Sequence, residues 1–187
     1  VQRGVRAYAD LIHNEFSAIA MIELAHMGFK KYGHKQGRIV GPMAFTRPDG
    51  AAVQAMDEDE IARTCADFAH AAARMQQCGF DGVVIHTGHG WLLHQFLSVR
   101  TNRRTDRFGG SLENRARLAV MVLQAIRARC GDDFLIECRI SGAENVPDGY
   151  SLEEIIAFCR LLKPYADLIH VSAGIYHDPV ETKMMTC

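Results

Sequence analysis

Near its middle the chain reads His86-Thr87-Gly88-His89-Gly90-Trp91. Two imidazoles three residues apart stand among glycines that let backbone or ligand come close. Such a pair can do one of three things. It can cap a strand end with hydrogen bonds, hold a metal ion with a further ligand such as His94 or His26, or point N–H donors at an oxygen that gains negative charge. No acidic residue or cysteine stands at a helpful local spacing, and the H-x-x-H pattern alone does not choose. Trp91 adds an aromatic ring whose indole N–H donates but is no practical general acid. Arg139 closes another apolar run with a permanent charge, which is costly to bury without an anionic partner. Glu23 closes an earlier run and is a natural partner for it.

The elements that must position these residues follow from the flanking pattern. Phe80 to His86, after Gly79 and with Val83, Val84 and Ile85 in succession, reads as a strand buried on both faces. In parallel α/β folds ligands bind where such strands end. Before it come a helix over residues 1–14, a strand over 17–24 and a long loop over 25–56 with Gly41-Pro42 and Arg47-Pro48-Asp49-Gly50. A loop of that size inside a compact domain is expected to be functional. Asp57 opens a second helix that Gly79 ends. After the histidines come a short helical turn at 92–97, an arginine-rich loop from Asn102 to Arg107, and a helix capped by Ser111 and closed by Gly131. A strand over 134–140, a helix opened by the capping box of Ser151 and Glu154, and a strand over 167–172 complete the order. Regular alternation of this kind argues for a parallel sheet, in a doubly wound fold or a TIM barrel. The polar residues at the strand ends (Glu23, His86, Arg139, Ser172) fit the catalytic face of a barrel.

Composition narrows the function classes. With 187 residues the chain can build one domain with a sizeable core. A formal net charge of -1 and a charged fraction of 23% give no basic surplus for nucleic acid. No run reaches the roughly 20 apolar residues of a membrane span. Six cysteines without a C-x-x-C pair read as reduced core thiols of a cytoplasmic protein, although Cys187 could serve a cluster with partners further on. The charges of Asn102 to Arg107 are balanced by Asp106 and Glu113, which favours a structural network over a phosphate site. The chain opens on Val1 and closes on Met-Met-Thr-Cys, and so reads as the central piece of a longer protein, a single incomplete domain over residues 1–187.

The string IHTGHGWLLHQFLS followed by TNRRTDRFGGSLENRAR resembles the signature of the old yellow enzyme family of FMN-dependent ene-reductases, which includes 2,4-dienoyl-CoA reductase-like enzymes and NADH:flavin oxidoreductases. Weaker similarity surrounds it, at Glu23-Leu-Ala-His-Met-Gly28, Glu137-Cys-Arg-Ile-Ser141 and His170-Val-Ser-Ala-Gly174. The resemblance implies a (β/α)8 TIM barrel, of which about four strands and four helices are present. It implies hydride transfer from NAD(P)H through FMN to the activated C=C bond of a small enone or enoyl-CoA-like substrate. His86 and His89 would hold the substrate carbonyl, Arg139 would face the flavin N1/C2=O edge, and Glu23 would stand at its pyrimidine edge where the family generally has Gln. Trp91 stands where the family usually has a proton-donating Tyr. Any iron–sulfur cluster or FAD domain would lie outside this chain. Half a barrel exposes two sheet edges, so the piece is expected to be marginal alone or to need a partner, as in a homo-oligomer. Two rival readings stay open: a metal-dependent barrel hydrolase or lyase, and a non-catalytic half-barrel.

Overall fold

The computed structural model describes residues 2–30 and 38–175. The first element is helix α1 (Gln2–Phe16), followed by strand β1 (Met21–Leu24) and a short 3-10 turn (Gly28–Lys30). Three short strands come next, β2 (Ile39–Gly41), β3 (Phe45–Thr46) and β4 (Ala52–Ala55). The remainder alternates: α2 (Glu58–Gln77), β5 (Gly82–His86), α3 (Leu92–Leu97), α4 (Leu112–Cys130), β6 (Leu135–Ser141), α5 (Leu152–Leu162) and β7 (Leu168–Ser172).

Four strands form one all-parallel sheet in the order β1-β5-β6-β7. Spatial order follows chain order with no reversal. A doubly wound sheet reverses its order at a switch point, whereas a barrel adds each strand beside the last. The helices gather on one side, α2 against α4 and α4 against α5. There Ile61, Phe68, Leu118, Val122, Ile126 and Phe158 pack on Val83, Ile85, Ile136, Cys138 and Ile140 to make the core. The other sheet face carries Glu23, Val84, Glu137 and Leu168 in one row, then His86, Arg139 and His170, then Ser141 and Ser172, as the strand register requires.

Local chemistry explains where the helices begin. Asp57 accepts from the Glu60 N–H at 2.7 Å while the Glu60 carboxylate reaches back to the Asp57 N–H at 3.2 Å. Ser151 and Glu154 repeat this capping box on α5. Ser111 caps α4, as its sequence position predicts.

The long loop is more structured than the sequence suggests, because β2, β4 and β3 pair there as a small separate sheet. Its strands are two to four residues long, too short to show a period. Arg104 ties that sheet to the body by donating to the carbonyls of Pro42 at 2.9 Å and Met56 at 2.8 Å. The arginine-rich loop is accordingly a structural network. Asn102, buried, spans it by donating to the carbonyls of Phe96 and Phe108. Strand β1 is shorter than expected, because Ser17 turns through a positive φ of 49° before the chain straightens. Cys65, Cys130, Cys138 and Cys159 are unpaired thiols, and burial pushes Cys65 up to about 11. Cys187 lies outside the described residues.

Candidate active site

The C-terminal ends of the four parallel strands bring the sequence-predicted residues together. In register, His86 on β5 stands beside Arg139 on β6, and Glu23 on β1 reaches both. Arg139 Nη1 lies 3.4 Å from Glu23 Oε2, a long contact across the strand tops. His86 Nδ1 lies 3.2 Å from the same carboxylate oxygen. The His89 ring follows from the loop after β5, its Nδ1 3.2 Å from His86 Nε2 and its Nε2 2.7 Å from Ser172 Oγ. Trp91 closes the group edge-on to His86, with ring centroids 6.0 Å apart.

Backbone close packing makes this convergence feasible. A side chain at Gly88 would begin 2.9 Å from the Ser141 backbone nitrogen, so only glycine lets the loop cross the end of β6 this closely. The His89 N–H then donates to Ser141 Oγ at 2.9 Å, and that hydroxyl donates to the Gly174 carbonyl at 2.7 Å. A parallel bridge between His89 and Ile175 draws in the chain beyond β7.

Electrostatics keep both imidazoles neutral at pH 7. Burial, then the neighbouring His86 ring (which repels once protonated) and the Arg139 charge, push His89 down to about 4. Burial and Arg139 also lower His86, while the Glu23 carboxylate pulls the other way. Each ring therefore offers one N–H donor and one bare nitrogen.

Sequence reasoning missed several neighbours. Lys30, at the end of the 3-10 turn, has Nζ 3.5 Å from the His89 carbonyl, and burial lowers it to about 8. Its only signal was a place in the long loop. Glu144 and Tyr150, in the loop after β6, were not singled out. Glu144 is buried, its Oε1 3.1 Å from His94 Nε2. Burial pushes the Glu144 carboxyl up, but donors from His94, Ser98 and Tyr150 outweigh it and hold it below its ordinary value. His94 is thus engaged within the fold, and His26 accepts from the Gly28 N–H at 3.0 Å. Among the described residues no three His, Cys, Asp or Glu side chains are grouped so as to hold a metal ion.

The residues can be tested against a flavin. Arg139 Nε is a buried nitrogen without a hydrogen-bond partner among the described residues, at a strand end on the open sheet face. Such an orphaned nitrogen is costly unless an acceptor meets it, and the N1/C2=O edge of a flavin is an acceptor. The Glu23 carboxylate, 41% exposed, can accept from a flavin N3–H, its charge offset by Arg139. The residues fit the group.

Comparison with known proteins points the same way. Residues 3–184 match the NADH:flavin oxidoreductase / NADH oxidase family. The chain is 37% identical over 172 residues to an NADPH dehydrogenase of Halalkalibacterium halodurans, covering 91% of this chain and 49% of that one. It is similar in structure to 2-naphthoyl-CoA reductase in complex with 2-naphthoyl-CoA, with a TM-score of 0.86, 29% identity and coverage of 94% of this chain and 29% of the other. It is also similar to the old yellow enzyme homologue from Zymomonas mobilis, with a TM-score of 0.82, 25% identity and coverage of 96% and 54%. The first two curated relatives that it matches are spanned over 22% and 49% of their length. The sheet is therefore an arc of a TIM barrel, as its unreversed strand order indicates.

Proposed function

This chain belongs to the NADH:flavin oxidoreductase / NADH oxidase family, and from that premise we propose that its protein is an FMN-dependent reductase of activated C=C bonds. The reading takes residues 1–187 as a single domain, an incomplete barrel of a longer cytoplasmic protein. The observation that carries it is the pair of neutral, buried histidines beside Arg139 at the strand ends.

Bound FMN would supply the redox chemistry, the relay of hydride from NAD(P)H to the β-carbon of the substrate. Arg139 and Glu23 would hold the flavin, the first through its unpartnered Nε and its positive charge, the second as acceptor at the pyrimidine edge. His86 and His89 would hold the substrate carbonyl oxygen. A neutral imidazole still has one N–H to donate to an oxygen that becomes enolate-like. Burial of the pair excludes water and strengthens those bonds. Trp91 shapes the pocket wall against His86 and leaves the proton for the α-carbon to another donor or to water. The likeness to 2-naphthoyl-CoA reductase supports an unsaturated thioester as readily as a simple enone.

The test is a visible spectrum of the intact protein, followed by anaerobic addition of NADH and then an enone. A band near ~450 nm that bleaches with NADH and returns with enone is the expected result. A colourless protein that FMN does not restore sinks the reading. Replacing His86→Ala and His89→Ala together should lower enone turnover on the order of 100-fold or more while flavin stays bound. Unchanged turnover in the double variant would remove the histidines from the chemistry.

A further inference from the structure

His94 and Glu144 are buried, each side chain 1% exposed, and the proposed chemistry uses neither. They lie beneath the most constrained turn of the site. His89 and Gly90 adopt successive positive φ values of 54° and 79°. A non-glycine residue stays in that region only where its surroundings over-determine it, and here they do. The His89 N–H donates to Ser141 Oγ at 2.9 Å, the Gly90 N–H to His94 Nδ1 at 2.7 Å, and the Trp91 N–H to the Gly88 carbonyl at 3.1 Å. The Gly90 carbonyl accepts from Gln95 Nε2 at 2.8 Å.

The Gly90 bond settles the tautomer of His94. A backbone N–H aimed at Nδ1 requires that nitrogen to be bare, so the ring proton sits on Nε2, where it donates to Glu144 Oε1 at 3.1 Å. Glu144 Oε2 accepts from the Tyr150 N–H at 3.0 Å, and the Tyr150 hydroxyl donates to the Ser141 carbonyl at 2.5 Å. Ser141 is the residue whose side chain receives the His89 N–H. The chain of bonds therefore closes on the turn from both sides.

Resting on the reading of His86 and His89 as the carbonyl-binding pair, the geometry points to His94 as a positioning residue for the reaction. Glu144 sets its tautomer, and its bare Nδ1 fixes the His89-Gly90 turn that aims the His89 ring. It needs no contact with substrate or flavin.

Two substitutions in the intact protein separate the two ends of the ring. His94→Asn keeps an acceptor near the place of Nδ1 and gives up the reach to Glu144. His94→Gln keeps a donor near the place of Nε2 and gives Gly90 no acceptor. The expected result is a kcat for enone reduction, per bound flavin, on the order of 100-fold lower in His94→Gln, with KM little changed. His94→Asn should stay within about tenfold of the parent. A purely structural role would lower the melting temperature of both variants and leave their kcat per bound flavin equal, which overturns the proposal. Nitrogen-15 spectra of the unsubstituted protein give a readout free of turnover. A bare Nδ1 and protonated Nε2 on His94 support the proposal, and the opposite tautomer overturns it even if both variants fail to fold. Failure of the intact protein to reduce any enone sinks the functional reading instead, and the spectra then decide the turn geometry alone.

Discussion

A single histidine carries two unusual properties at once. His89 occupies a left-handed backbone position and is lowered to about 4 by burial and by its neighbours His86 and Arg139. The second property has a thermodynamic consequence. Between its ordinary value of 6.5 and about 4, the unfolded chain takes up a proton at His89 that the folded chain refuses. Unfolding is then favoured as pH falls, so this contribution to stability is fully present above about pH 6.5 and is lost on the way down to about 4. Chemical denaturation of the parent and of His89→Asn across that range should show the parent losing more stability than the variant as pH falls. Parallel curves would mean that the imidazole titrates freely in the fold. Arg139 shows how far a residue's role could be read in advance. Its place at the end of an apolar run marked it as a charge in need of an anion, and Glu23 lies 3.4 Å away. The unpartnered Nε beside that contact depends on angles that no spacing encodes.

Among the elements, the strands that deliver the site were legible because each is a short apolar run between turn signals, and capping residues marked where the long helices begin. The small sheet of β2, β3 and β4 was not, since strands of two to four residues leave no period to detect. The pairing of His94 on α3 with Glu144 beyond β6 was equally hidden, because it joins residues 50 apart through tertiary packing. The loop between α3 and α4 offers a direct test of element-level design. Buried Asn102 donates to Phe96 and Phe108 carbonyls at 2.6 and 2.7 Å and accepts from the Arg104 N–H at 3.1 Å. Asn102→Ala would strand two carbonyls and an amide, and should cost about 3 kcal/mol in urea unfolding. The exposed neighbour Arg103→Ala should cost less than about 0.5 kcal/mol. Equal effects at the two positions would show that the buried Asn102 amide does not hold the loop.

For the molecule as a whole, the open sheet face changes character along the strands. Met21, Gly82 and Leu135 line up near its base, whereas His86, Arg139 and His170, then Ser141 and Ser172, occupy its upper rows. A closed barrel fills its interior with stacked side chains and keeps chemistry at the C-terminal end, and the polarity gradient here follows that rule. Glu137 Oε1 and His170 Nδ1 lie 2.9 Å apart on this face, where a complete barrel would shield them from water. Among the described residues the sheet ends at β1 on one side and β7 on the other. Large apolar side chains are exposed near these borders, with Phe16 and Ile19 beside β1, and Leu168 and Val171 on β7. Apolar surface next to a bare strand edge favours association, both through burial and through pairing of the free backbone groups. The 187-residue chain made alone should therefore self-associate. Sedimentation velocity should show a larger species gaining weight over about a hundredfold rise in concentration, with the melting temperature rising alongside. A protein in which further barrel strands covered both edges should lack the concentration dependence of melting that these edges cause. A chain that stays monomeric with one concentration-independent, cooperative melt would mean that the arc of barrel satisfies its own edges. The exposed residues at β1 and β7 would then be ordinary surface.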